Sequence, residues 1–209
     1  MLVNAVTYTF SAAVSDQPGE HMDVSFRVKR WCVFCGSSAG HDPLYRETAA
    51  ATGRLFARAG IEVVYGGGNV GLMGTVADAA IAAGGKVIGV IPQSLAAREV
   101  AHEGITQLYV VDSMHERKAR MNELSDGFLM LPGGFGTFEE FCEVVTWVQL
   151  GIIAKPCIIL NAGGYYDPLL AMFDRANAFG FINDRNRSIV DVVPDVEALS
   201  EIITKFGRA

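Results

Sequence analysis

The sequence predicts a doubly wound α/β fold, in which helices cover both faces of a mainly parallel β-sheet. From residue 31 onwards, short apolar segments alternate with longer amphipathic segments, which is the pattern of repeated strand–helix units. Several of the short segments are apolar throughout instead of at every second position, which indicates parallel strands buried on both faces. Three of them run into glycine- or serine-rich turns, where open α/β sheets commonly bind ligands.

The short apolar segments predict six strands, at residues 31–36, 62–65, 86–91, 106–111, 127–131 and 156–161. The amphipathic segments predict helices at residues 43–59, 71–83, 114–124, 137–150 and 168–179, and a C-terminal helix at residues 196–206. Composition does not shift along this part of the chain and no internal repeat is present. We therefore expect residues 29–209 to form a single domain, preceded by a flexible N-terminal extension over residues 1–28.

Composition limits the classes of function. The 209 residues are 50% hydrophobic and 19% charged, with a mean hydropathy of +0.27, which is enough for one domain with a sizeable core. The net charge of −6 argues against a broad nucleic-acid surface, although a few converging donors can still bind a small anion. No apolar run reaches the ~18 residues that span a membrane. Residues 1–20 resemble a signal peptide only weakly, since lysine and arginine are missing from their start.

The four cysteines favour a reducing cytoplasm. Cys32 and Cys35 have the spacing of a redox or metal half-site, but they lie in an apolar run typical of a buried strand. No second cysteine pair or histidine pair completes a zinc site, and the carboxylates show no ligand cluster. We therefore expect buried thiols and no metal site.

The three turns that follow predicted strands should line one crevice with small residues and free N–H groups. Their sequences are GSS at residues 36–38, GGGNVG at 66–71 and PGGFGT at 132–137. The second turn satisfies a relaxed dinucleotide fingerprint, but the acidic residue expected at the end of the next strand is missing. A P-loop sequence is also missing. The turn therefore favours contact with a mononucleotide phosphate or sugar, with a purely structural tight turn as the alternative.

Arg117 and Lys118 begin a predicted helix whose start should face the same crevice. Cations at a helix N-terminus oppose the helix dipole, so an ordinary pair would simply be solvated. The planar donors of an arginine suit a phosphate or a carboxylate, and this location favours a functional role for the pair. His115 fits a plain role as a hydrogen-bonding residue at the helix start.

Glu139 and Glu140 follow the third turn, where carboxylates would repel a bound phosphate. Adjacent helical residues point about 100° apart, so only one of the two is expected to face the ligand. The other, or Thr137, would help to cap the helix. An arginine paired with a glutamate beside a phosphate site suggests chemistry on the sugar of a nucleotide, because a carboxylate can stabilise an oxocarbenium-like centre. A charge pair at a helix start, without chemistry, is the alternative.

Together these motifs resemble the Lonely Guy family, the cytokinin riboside 5′-monophosphate phosphoribohydrolases. The resemblance rests on GGGNVGLMG at residues 66–74, MHERK at 114–118 and PGGFGTFEE at 132–140, in this order. It extends to TWVQLG at 146–151 and NAGGYY at 161–166, and it covers about residues 29–181. Each motif alone is weak, whereas the three at this spacing are specific.

The resemblance implies a Rossmann-like fold, a homodimer with composite sites or a higher homo-oligomer, and no cofactor. It also implies release of a free base and ribose 5-phosphate from cytokinin riboside 5′-monophosphates and from AMP. The family's catalytic arginine and glutamate fall on Arg117 and Glu140, which leaves Glu139 to support or cap. The predicted substrate-binding residues are Gly67, Gly68, Gly71, Glu99, Lys118, Gly133, Gly134, Phe135, Gly136, Thr137, Phe138, Glu139 and Thr146.

Two other functions have to be considered, one because of the label that the family often carries and one because of proteins with a related fold. The family is often labelled lysine decarboxylase, a pyridoxal-phosphate activity that needs a Schiff-base lysine, and of the five lysines only Lys118 lies near the predicted site. The second rival is a non-catalytic carrier of a nucleotide or cofactor, which would use similar glycine turns but does not require an arginine–glutamate pair.

Overall fold

The computed structural model describes residues 28–96 and 100–207, whose strands form one seven-stranded parallel sheet. The strands are β1 (Arg30–Phe34), β2 (Glu62–Tyr65), β3 (Val87–Pro92), β4 (Gln107–Val111), β5 (Gly127–Met130), β6 (Cys157–Leu160) and β7 (Val190–Val193). Their order across the sheet is β4-β3-β2-β1-β5-β6-β7. The chain builds outward from β1 to β4, then returns to place β5 on the other side of β1. This reversal between β1 and β5 creates the crevice in which doubly wound proteins bind ligands.

The eight helices among the described residues are α1 (Pro43–Arg58), α2 (Gly71–Ala82), α3 (Gln93–Ala96), α4 (Met114–Leu124), α5 (Phe135–Gln149), α6 (Asp167–Ala178), α7 (Asp184–Arg187) and α8 (Val196–Gly207). A short 3-10 helix covers Ala162–Gly164. Helices α1, α2 and α8 pack on one face of the sheet, whereas α4, α5 and α6 pack on the other. The doubly wound α/β fold predicted from the sequence is therefore confirmed.

The continuous hydrophobicity of the strands follows from this two-sided cover. In β1, Trp31 and Val33 belong to the core beneath α1 and α2, whereas Cys32 and Phe34 belong to the core beneath α5. Successive side chains of a strand point to opposite faces, so every position must be apolar when both faces are covered. Cys32 and Cys35 are buried free thiols, as predicted.

Three short elements of the structure were not predicted from the sequence. Strand β7 has only four residues and includes an aspartate, and helices α3 and α7 have four residues each, too few to show a helical period. The prediction that α5 begins at Thr137 is wrong, because the helix begins two residues earlier at Phe135. Within the described ranges, no helix is long and apolar enough to cross a membrane.

Of the predicted N-terminal extension, residues 1–28, the structure describes only Val28. Val28 is buried, and its backbone N–H donates to the carbonyl oxygen of Phe206 at 3.3 Å, which ties the chain entering β1 to α8. Residues 1–27 lie outside the described residues, and the boundary of the domain near residue 28 stays a prediction.

Candidate active site

The three glycine- and serine-rich turns meet at the carboxyl ends of β1, β2 and β5. Gly36 links them, since its N–H donates to the carbonyl oxygen of Pro132 at 3.0 Å and its own carbonyl accepts from the N–H of Leu72 at 3.0 Å. Gly71 packs even more closely, because a Cβ there would lie 2.3 Å from the carbonyl carbon of Ser37 and its φ is +58°. Only glycine tolerates both conditions. The crevice is therefore walled by main chain.

Arg117 and Glu140 form a buried ion pair at this crevice. The two side chains are only 7% and 11% exposed, and Arg117 Nη2 lies 3.7 Å from Glu140 Oε1. The same Nη2 donates to the carbonyl oxygen of Gly66 at 3.4 Å, and Nη1 donates to Met114 Sδ at 3.7 Å. Removing two charges from water costs several kcal/mol per ion, and the attraction between the buried charges offsets about the same amount. A buried ion pair is therefore weak evidence that the pair stabilises the fold. The burial of this pair at a ligand crevice favours a functional role.

Gly66 provides the space that Arg117 occupies. A Cβ at Gly66 would lie 2.0 Å from Arg117 Nη2, well inside van der Waals contact. The sequence predicted that the turn at residues 66–71 lines the crevice and that Gly67, Gly68 and Gly71 bind the substrate, but it did not predict that Gly66 makes room for Arg117. The available signal was a glycine placed directly after a buried strand, where the missing side chain leaves room for a residue from another element.

The first turn of α5 faces the crevice with its backbone N–H groups uncapped. Its N-cap is Gly134, which has no side chain and so makes no side-chain cap hydrogen bond. The expectation that Thr137 or Glu139 caps this helix is therefore wrong. Thr137 is buried and Phe138 packs edge-on against Tyr166, whereas Gly134, Phe135 and Gly136 are exposed. The N-terminus of a helix carries a partial positive charge and free donors, which suits an anion.

Lys118 and Glu139 lie next to the ion pair, but they contact one another. Lys118 Nζ lies 2.5 Å from Glu139 Oε1 and 3.0 Å from Glu143 Oε1. The hydrogen bond that Lys118 donates to Glu139 is the main cause that raises the pKa of Lys118, and Glu143 raises it further. The lysine therefore stays a cation, and its charge is largely balanced by two carboxylates of α5.

Glu140 is buried, and its charge acts on the thiol of Cys35. Burial raises the pKa of Cys35, and the charge of Glu140 raises it further, whereas Arg117 opposes the change. A small pocket beside Glu140 is lined by Phe34, Lys118, Asn122, Phe128, Glu143 and Val144. The carboxylate thus sits in a weakly hydrated environment, in which its interaction with a developing cation would be stronger than in water.

Gly67 and Gly68 are held by the chain that precedes β4. The carbonyl of Gly67 accepts from the N–H of His102 at 2.9 Å, and Gly68 pairs with Ala101 in an isolated antiparallel bridge. His102 is itself buried and hydrogen-bonds Asp78. Glu99 lies outside the described residues, two positions before this bridge.

Thr146 is the predicted site residue that the fold does not bring to the crevice. It lies six residues beyond Glu140 on α5, about 9 Å along the helix axis and on another side of the helix. Its side chain is exposed at the surface, and its hydroxyl donates to the carbonyl oxygen of Cys142 at 2.7 Å. Arg117, Glu140 and the three turns therefore form one cluster, whereas Thr146 lies apart from it.

Fold and site together define a doubly wound α/β protein with a buried arginine–glutamate pair at a crevice walled by main chain. Residues 73–203 match the family model described as "possible lysine decarboxylase". The cytokinin riboside 5′-monophosphate phosphoribohydrolase of Rhodococcoides fascians is 52% identical over 166 residues, covering 79% of this chain and 84% of the relative. The enzyme of the same name, LOG, of Oryza sativa subsp. japonica is 47% identical over 173 residues, covering 83% and 72%. The chain belongs to this family, the Lonely Guy family, as the sequence motifs predicted.

Solved structures with the same fold include proteins of a different description. The molybdenum cofactor carrier protein of Chlamydomonas reinhardtii superposes with a TM-score of 0.64 at 19% identity, covering 86% of this chain and 98% of that one. The molybdenum cofactor binding protein of Rippkaea orientalis superposes with a TM-score of 0.65 at 24% identity, covering 86% and 97%. At these identities the likeness supports the fold alone.

Proposed function

We propose that the protein hydrolyses the N-glycosidic bond of cytokinin riboside 5′-monophosphates and of AMP, releasing the free base and ribose 5-phosphate. The observation that carries the proposal is the buried Arg117–Glu140 pair, 3.7 Å apart, where the main-chain crevice meets the start of α5. The relatives named for this reaction, at 47–52% identity over most of the chain, support it.

The phosphate of the substrate would bind at the start of α5. The exposed N–H groups from Gly134 onwards point out of the helix and suit an anion. Lys118 adds a nearby cation, although Glu139 and Glu143 balance much of its charge. Binding of the phosphate, remote from the bond that breaks, would hold the ribose against Glu140.

Glu140 would act on the sugar. As the bond between the ribose and the base breaks, positive charge develops on the sugar, and a carboxylate in a weakly hydrated site stabilises it or orients the attacking water. Water supplies the hydroxyl of ribose 5-phosphate, and its proton ends on the departing base. Arg117 would hold Glu140 in place and contact the oxygens of the ribosyl phosphate.

The geometry argues against the lysine decarboxylase activity of the family label. A Schiff-base lysine must be able to lose its proton, and its pKa is usually lowered for that purpose. Lys118 has the opposite perturbation, since its hydrogen bonds to Glu139 and Glu143 raise its pKa. Burial does lower the pKa of Lys155, but its Nζ donates to the carbonyl and side-chain oxygens of Asn122 near the end of α4.

A homodimer is part of the same proposal. Large apolar side chains are exposed in α5 and α6 and in the residues that follow these helices, namely Phe135, Leu150, Ile152, Met172, Phe179 and Phe181. Apolar exposure of this kind is typical of a surface that is covered in an assembly. Since Thr146 shares α5 and lies away from its own crevice, a second copy covering these side chains would allow Thr146 of the partner subunit to complete the site.

Chromatography of the reaction products tests the reaction itself. The protein incubated with AMP and with isopentenyladenosine 5′-monophosphate is expected to release the base and ribose 5-phosphate, and far less from the matching nucleosides. Nucleotide that binds without loss of its base would instead favour a non-catalytic carrier.

Replacing Glu140 tests the assigned carboxylate. Glu140→Gln keeps the size of the side chain and an oxygen that faces Arg117, and it is expected to lower kcat by about 10²–10³-fold with nucleotide still bound. Glu123→Gln is the matched control, because it removes a carboxylate that is 62% exposed and pairs with Arg120 on the surface. Equal activity of Glu140→Gln and the parent chain would refute the assignment.

A further inference from the structure

The turn that leads into α5 has each of its three carbonyl oxygens held by a different donor. Tyr166 Oη donates to the oxygen of Leu131 at 2.7 Å, the N–H of Gly36 donates to that of Pro132 at 3.0 Å, and Tyr165 Oη donates to that of Gly133 at 2.6 Å. Two of the three donors belong to the NAGGYY motif, to which the proposed chemistry assigns no role.

Both tyrosines are themselves firmly placed. The N–H of Tyr166 donates to Asn161 Oδ1 at 2.7 Å, and Asn161 Nδ2 donates to Asp167 Oδ1 at 2.7 Å. The two tyrosine rings meet edge to face with centroids 4.8 Å apart, and Tyr45 packs against Tyr165 in the same way at 5.5 Å. Burial raises the pKa of Tyr166, so its hydroxyl remains a proton donor.

The direction of the Gly133 carbonyl decides the direction of the N–H that follows it, whereas the carbonyl of Leu131 precedes Pro132, which has no N–H. The described residues include no cis peptide bond, and in a trans peptide the C=O and the following N–H point in opposite directions. When Tyr165 fixes the oxygen of Gly133, it therefore also fixes the N–H of Gly134, the N-cap of α5. Two adjacent glycines have the widest choice of backbone angles of any pair, so an external donor is needed to select one.

We propose that Tyr165 is a positioning residue of the phosphate site, which aims the N–H of Gly134, one of the main-chain donors at the start of α5, without touching the substrate. The inference rests on the proposed function, because it assigns the phosphate of the nucleotide to these donors. The side chain of Tyr165 is partly exposed, so its hydroxyl could bond to water if it did not donate to Gly133. The contact of Tyr165 with Gly133 therefore orients the backbone and does not serve mainly to fill the core.

Tyr165→Phe removes the hydroxyl and keeps the ring contacts. The lost hydrogen bond orients a main-chain donor of the protein that contacts the charged phosphate. Its loss is expected to raise KM for AMP about three- to ten-fold, with kcat changed less than about two-fold. Inhibition by ribose 5-phosphate should weaken by the same factor, whereas inhibition by adenine should not change. Tyr166→Phe frees the oxygen of Leu131, but the next residue, Pro132, carries no N–H, so this variant should shift KM less than Tyr165→Phe does.

Tyr45→Phe is the matched control, because its ring packs against Tyr165 while its hydroxyl has no hydrogen bond among the described residues. It is expected to leave KM and both inhibition constants unchanged. If the parent chain is active and Tyr165→Phe keeps the parental KM, or weakens ribose 5-phosphate and adenine equally, the positioning role is refuted and the proposed function stands. A parent chain that releases no base from either nucleotide refutes both.

Discussion

Replacing Gly66 with alanine should disable the site by displacing Arg117. The new Cβ would lie 2.0 Å from Arg117 Nη2 and 3.2 Å from its Cζ, whereas ordinary contacts begin at 3.4 Å. The guanidinium must therefore move by about 1.4 Å, away from the carbonyl of Gly66 and out of its position beside Glu140. Misplacing a reacting or orienting group by 1 Å can cost about 10²-fold in rate, so kcat/KM is expected to fall by about that factor or more.

The stability of this variant should also fall, and it has to be measured beside the activity. Gly66 lies outside the left-handed region, and the atoms that clash are the far ends of flexible side chains. The loss of glycine flexibility alone alters the free energy of unfolding by about 1 kcal/mol or less, and displacing Arg117 from its buried ion pair adds a cost of up to about 3–5 kcal/mol. Thermal denaturation would show whether the variant is folded, and product chromatography would give its rate.

A double-mutant cycle separates the displacement of Arg117 from any other effect. If Gly66→Ala acts through Arg117, it should cost little further activity in a chain that already carries Arg117→Ala. Full parental activity of Gly66→Ala would refute the reasoning, because it would mean that the position of the guanidinium does not matter. Equal losses of activity in the Arg117→Ala and the parent background would show that Gly66 acts by another route.

Two further predictions concern the thiols and the assembly. Burial raises the pKa of Cys32, Cys35 and Cys157, the last to about 12. Burial and the charge of Glu139 also raise the pKa of Cys142, but this thiol is exposed and the other three are buried. A thiolate-specific reagent at pH 8 should therefore label only Cys142 in the native protein and all four cysteines after unfolding. Rapid labelling of more than one thiol in the native protein would contradict this, and the cytoplasmic location stays a prediction. Light scattering should give about twice the chain mass of 22.4 kDa, and Ile152→Glu should lower it towards that of one chain; a single-chain mass for the parent would refute the dimer.

Much of the fold could be predicted because the strands are buried on both faces. Segments such as those of β2 and α4 show their bounds directly in the sequence, and the predicted residues 62–65 and 114–124 coincide with the structure. Strand β7 was missed because an edge strand of four residues with Asp191 inside has no continuous apolar run. The start of α5 was misplaced because Gly134 caps it without a side chain, so the usual signal of a polar N-cap residue is missing.

The candidate site could be predicted only in part, for a different reason. Motif order indicated Arg117 and Glu140, and the fold brings them together. Contacts between distant elements leave little trace in a single sequence, and the space that Gly66 gives to Arg117 spans 51 positions of the chain. In the same way, the hydroxyl of Tyr165 donates to a carbonyl 32 positions earlier. Lys118 donates to Glu139 and Glu143 of α5, and nothing in the sequence around Lys118 in α4 indicates these contacts.

A crevice walled by main chain also has consequences for its response to acidity. Peptide N–H groups neither gain nor lose a proton in the range in which proteins work, and the ammonium of Lys118 is kept charged by its carboxylate neighbours. The protein side of the anion site is therefore electrically constant near neutrality. A 5′-phosphate, by contrast, gains its second negative charge near pH 6. The ionisation of the ligand, and not of the protein, would thus determine how tightly the two associate as the surroundings become more acidic.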